Sequence, residues 1–69
     1  MKLIDELRTR RRELELPQDD VATKLGVATN MISAWERKKN RPRLDLLEAW
    51  GQVLGLRLKW EEVDDHNQR

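Results

Sequence analysis

Apolar residues recur along this chain first at helical spacing and then, towards the end, in strict alternation. Leu3, Leu7 and Leu14, with Ile4 beside Leu3, fall four and seven residues apart among Arg and Glu. That spacing predicts an amphipathic helix reaching residue 15. Leu16 and Pro17 interrupt it. Pro17 disfavours helical geometry at Leu16 yet suits the opening of a helix, so a second helix is predicted from Gln18. Asp19 and Asp20 then sit at the positive end of its dipole. Gly26, directly after Leu25, predicts a left-handed stop. A tight turn through Val27 and Ala28 leads to a third helix over 29–37. Its apolar side carries Met31, Ile32 and Trp35, and its outer side offers Thr29, Asn30, Ser33, Ala34 and Arg37.

Residues 37–43, RKKNRPR, hold five basic side chains and a proline with nothing apolar to bury, which predicts a solvated loop. A fourth helix over 44–54 repeats Leu44, Leu47, Trp50 and Leu54 on one face and is ended by Gly55. From 56 to 63 the period changes to two: in LRLKWEEV, Leu56, Leu58, Trp60 and Glu62 alternate with Arg57, Lys59, Glu61 and Val63. This predicts a strand. A lone strand cannot satisfy its own backbone, and no second strand candidate exists in the sequence. The expected partner is the same strand of a second copy, with Leu56, Leu58 and Trp60 at the dimer interface. The expected organisation is therefore an all-α, four-helix domain over 1–55, a dimerisation β-strand over 56–63 and a disordered tail over 64–69.

Composition narrows the chemistry. A chain of 69 residues holds one domain with a small core and room for one binding surface. Its net charge of +1 conceals an asymmetry. Residues 1–43 carry eleven Lys/Arg against seven Asp/Glu, whereas residues 44–69 carry three against six. The first part suits a polyanion. There is no cysteine, and the single histidine, His66, has no neighbouring ligand, so neither metal nor other cofactor is expected. No nucleophile–base pair or phosphate-cradling glycine loop is present, which argues against an enzyme. No apolar run approaches the roughly 18 residues a membrane span needs, and the start, MKLIDELRTRRR, lacks the apolar segment of a signal peptide. A cytoplasmic protein, bacterial or phage-encoded, is expected.

Two short helices joined by a glycine turn form the helix-turn-helix unit. Over residues 3–56 the chain resembles the phage-repressor and Cro-type (XRE) helix-turn-helix family. The resemblance is carried by Leu14 and Leu16; by Gln18, Val21, Ala22, Leu25, Gly26 and Val27; by Ile32, Ser33, Trp35, Glu36 and Arg37; and by Pro42, Leu44, Leu47, Leu54 and Gly55. It implies a lambda-repressor-like fold and a partly buried ion pair between Arg11 and Glu36. The sequence departs from the family pattern at Pro17 and Ala28, where helix-capping Ser or Thr is usual, with Thr29 expected to cap the third helix one residue late. Lys38 stands where the family frequently has glycine.

The resemblance also implies a division of labour on double-stranded DNA. The third helix would lie in the major groove and read base edges with Ala28, Thr29, Asn30, Ser33 and Ala34, Asn30 foremost because its amide can bond adenine N6 and N7 together. Gln18, Arg37, Lys38, Lys39, Asn40, Arg41 and Arg43 would grip the backbone, Arg43 with reach into a minor groove. Met31, Trp35 and Trp50 are assigned to the core. The expected function is a dimeric transcriptional repressor on a palindromic operator. The alternative is the antitoxin of a toxin–antitoxin pair, with a toxin as a second partner.

Overall fold

The computed structural model describes residues 2–59, in which four helices follow one another: α1 (Lys2–Glu13), α2 (Gln18–Leu25), α3 (Thr29–Glu36) and α4 (Leu44–Val53). They surround one core of Ile4, Leu7, Val21, Ala22, Ile32, Trp35, Leu47, Trp50 and Leu54. Ala22 is buried where α2 meets α3, and its small side chain is what lets two helices of the motif approach closely. The indoles of Trp35 and Trp50 meet at 5.5 Å between centroids, tilted by 36°, a favourable arrangement for aromatic rings. Trp50 is wholly buried, and its Nε1 finds no acceptor among the described residues.

All four helices end in the same way. A residue one or two positions past the helix adopts a left-handed conformation, and two backbone N–H groups reach back to the last-turn carbonyls. After α2, Gly26 has φ 74°, with Val27 N to Ala22 O at 3.0 Å and Gly26 N to Thr23 O at 3.2 Å. After α4, Gly55 has φ 78°, with Leu56 N to Gly51 O at 2.8 Å and Gly55 N to Gln52 O at 3.0 Å. After α1 and α3 the same position is taken by Glu15 (φ 58°) and Lys38 (φ 61°), with the matching pairs of bonds from Leu16 and Glu15 and from Lys39 and Lys38.

A side chain in this conformation costs roughly 1 to 2 kcal/mol that glycine does not incur. Glu15→Gly should therefore stabilise the protein by about 1 kcal/mol after the added freedom of the unfolded chain is subtracted. That gain would appear as a rise in melting temperature of about 4 to 8 °C.

The helix starts are plainer. Pro17, Ala28 and Arg43 occupy the N-cap positions of α2, α3 and α4, and none makes a side-chain capping bond. The expected late cap at Thr29 is not formed, because Thr29 already lies inside α3.

Four further expectations need correction. First, α1 stops at Glu13 rather than reaching residue 15, so Leu14 leaves the helical face and is exposed while Ile4 takes its place in the core. Second, Leu44 begins α4 at its outer rim and is 63% exposed. Third, Met31 is not core: it is 40% exposed on α3.

Fourth, residues 56–59 form no strand. The Leu56 N–H is used by the end of α4, and Leu56 and Leu58 instead line a shallow apolar groove with Leu3, Leu7, Leu47 and Gly51. Lying against α1 and α4 partly covers Leu58, while Leu56 stays 36% exposed at the edge of the groove. The rest of the expected strand, including Trp60, and the tail over 64–69 lie outside the described residues.

Candidate nucleic-acid interface

The outer face of α3 follows from which of its residues are buried. Ile32, Trp35 and Glu36 point inward, so residues near 30, 34 and 37 fall on the opposite side of a 3.6-residue helix. Ala28, Thr29, Asn30 and Arg37 are exposed accordingly, and Ser33 and Ala34 are partly so. Every side chain expected to read bases thus reaches the surface on α3 or at its N-cap.

That helix is held by one buried carboxylate. Glu36, 4% exposed, accepts Arg11 Nε at 2.7 Å on one oxygen, and on the other Arg11 Nη2 at 2.9 Å and Gln18 Nε2 at 3.0 Å. The forked Arg11–carboxylate pair expected from the family is therefore present, in the bidentate geometry that gives charge-assisted bonds their strength. Its bond to Glu36 is the leading cause that holds the Arg11 guanidinium above its ordinary pKa. Arg11 Nη1 also donates to the Leu16 carbonyl at 2.8 Å. The end of α3, the start of α2 and the exit of α1 are thereby tied to one another.

Gln18, expected on DNA phosphate, donates one amide N–H to Glu36, which leaves its second N–H and its place at the first turn of α2 for a phosphate.

The basic loop after α3 divides into free and paired side chains. Lys39, Asn40 and Arg41 are exposed and make no side-chain hydrogen bond among the described residues. Lys38 Nζ instead lies 3.0 Å from the Asp5 carboxylate of α1. Arg43 pairs with Asp45 through Nη2 at 3.1 Å and Nε at 3.3 Å. The hydrogen bond from Lys38 holds the Asp5 carboxyl below its ordinary pKa, and that from Arg43 does the same to Asp45. Arg37 Nε reaches the Ser33 carbonyl at 3.4 Å. Such exposed ion pairs contribute little to stability and are exchangeable for phosphate.

Three positioning residues were not anticipated from the sequence. Arg10 donates from Nε to the Leu54 carbonyl at 3.1 Å, closing the end of α4. Asp45 is two residues from Arg43 and was open to a reading of local charge pattern. Asp5 is 33 residues from Lys38, and no local pattern announces that contact.

Among the described residues, no group of His, Cys, Asp and Glu is placed to hold a metal, and no helix is long and apolar enough to cross a membrane.

A glycine-turned helix pair, a second helix whose polar face is open and a basic loop that follows it define a DNA-binding helix-turn-helix domain. The chain belongs to the helix-turn-helix family of the XRE type, whose family model matches residues 7–60. It is similar to antitoxin HigA1 of Mycobacterium tuberculosis in two strains, 31% identical over 58 residues, which is 84% of this chain and 39% of each relative. The chain thus spans well under half the length of these relatives. No solved structure gives a match.

Proposed function

We propose that the protein is a dimeric repressor that lays α3 in the major groove of each half of a palindromic operator. The observation that carries this reading is the open face of α3 with the exposed basic loop directly after it in the chain. Asn30 is the principal reader of bases, helped by Thr29 and Ser33, with Ala28 and Ala34 in apolar contact. Lys39, Asn40 and Arg41 hold phosphates, joined by Gln18, Arg37, Lys38 and Arg43 as these exchange their internal partners for the backbone.

Dimerisation through the C-terminal segment is supported by Leu56, left 36% exposed on an apolar groove. Trp60 would complete that interface. In a mobility-shift titration on the DNA upstream of its own coding sequence, the protein should retard one site specifically, with a stoichiometry of two chains. Sedimentation of the intact chain should give a dimer. Uniform weak retardation of all DNA contradicts the repressor, and a monomeric mass contradicts the pairing.

The similarity to antitoxin HigA1 favours a second reading, in which the same domain neutralises a toxin and represses its own operon. Stable copurification with the product of the adjacent gene distinguishes it.

A further inference from the structure

The exposed face of α3 is not uniformly polar. Looking along the helix, Asn30, Ser33 and Arg37 form one strip, spaced by three and four residues. Beside it lie Met31 and the partly exposed Ala34, spaced by three, with Ala28 at the N-cap just before them, and none has a polar side-chain atom. Met31 dominates this apolar set. It is 40% exposed, whereas the neighbouring Ile32 and Trp35 of the same helix are buried. A long, unbranched apolar side chain in the first turn of the helix lies where a major-groove helix penetrates deepest. There it has the flexibility to fit an irregular apolar surface.

In the major groove the apolar feature of a base edge is the C5-methyl of thymine. We propose that Met31 is a specificity-determining residue that contacts a thymine methyl, next to the base read by Asn30. The inference rests on α3 being the base-reading helix. It adds a second channel of readout, by apolar contact rather than by hydrogen bond. Ala28, the exposed N-cap residue before α3, would supply the other wall of the methyl's site. Burying one methyl group in such contact corresponds to roughly a three- to fivefold gain in affinity.

The test is selection of binding sites from a random duplex pool by the wild-type chain, Met31→Ala, Met31→Leu and Asn30→Ala. Thermal melting checks that each variant folds, as expected for exposed positions. The wild type and Met31→Leu should enrich a thymine at one position in each half-site, and Met31→Ala should lose that preference while keeping the remainder of the motif. Replacing that thymine by deoxyuridine, which removes only the methyl, should weaken wild-type binding three- to fivefold and Met31→Ala binding not at all.

Identical motifs for wild type and Met31→Ala, or an equal effect of deoxyuridine on both, overturn the proposal. So does a Met31→Ala chain that changes its sedimentation but not its motif, since the side chain would then serve a protein contact. An altered Asn30→Ala motif beside an unaltered Met31→Ala motif removes Met31 alone. If both motifs match the wild type, the reading of α3 itself fails.

Discussion

Glu36→Ala should destabilise the protein by about 3 to 5 kcal/mol, the usual result of deleting one partner of a buried ion pair. The carboxylate is 3% exposed and Arg11 only 11%, so truncation leaves a guanidinium mostly out of water with one remaining bond, to the Leu16 carbonyl. Gln18 Nε2 loses its acceptor at the same time. A domain of this length has a total stability of only about 3 to 10 kcal/mol. Urea titration should therefore find Glu36→Ala largely unfolded at 37 °C, and DNA binding lost with it. Replacing both partners by apolar residues, as in Arg11→Met with Glu36→Leu, should recover most of the loss, because the large cost lies in stranding a charge rather than in lacking the pair. A double variant as unstable as Glu36→Ala would mean that geometry specific to the pair holds α3 in place.

Asn30→Ala should weaken binding to the cognate operator by about 1 to 3 kcal/mol, or roughly 5- to 150-fold, while leaving affinity for unrelated DNA unchanged. Asn30 is exposed on the outer face of α3 and holds up no part of the core, so folding should be unaffected. Lys39→Ala is the contrasting case. An exposed cation in the loop with no protein partner among the described residues would contact phosphate alone. Its loss should weaken all sequences alike and reduce the slope of log affinity against log salt by about 0.9. Fluorescence anisotropy on cognate and scrambled duplexes across a salt series separates the two. If Asn30→Ala lowers both affinities equally, α3 is not the base-reading element.

Much of this protein was legible before any coordinates. The helix order, the glycine stop at Gly26 and the outward set Thr29, Asn30, Ser33 and Arg37 all follow from local rules, since apolar spacing and turn chemistry act over a few residues. The Arg11–Glu36 pair was legible only by family resemblance, because its partners are 25 residues apart. The misreadings share one cause. Periodicity assigns a residue to a face, but it does not say where the helix ends or which face finds a neighbour. Leu14 and Leu44 keep the apolar period yet sit past or at the rim of their helices, and Met31 lies on a flank that no other helix covers. The stops at Glu15 and Lys38 were hidden for a related reason: two charged residues accept a conformation for which glycine is the usual signal.

By itself the amino-acid sequence determined that four short helices form, that two of them make a helix-turn-helix unit and that the basic charge is concentrated beside its second helix. Only the tertiary structure decided that Gln18 shares Glu36 with Arg11, that Arg10 closes α4, that Asp5 holds Lys38 and that Leu56 and Leu58 fold onto α1 and α4 instead of extending as a strand. Each of these is a contact between segments far apart in the chain. Its energy depends on burial and distance, which exist only once the helices have packed.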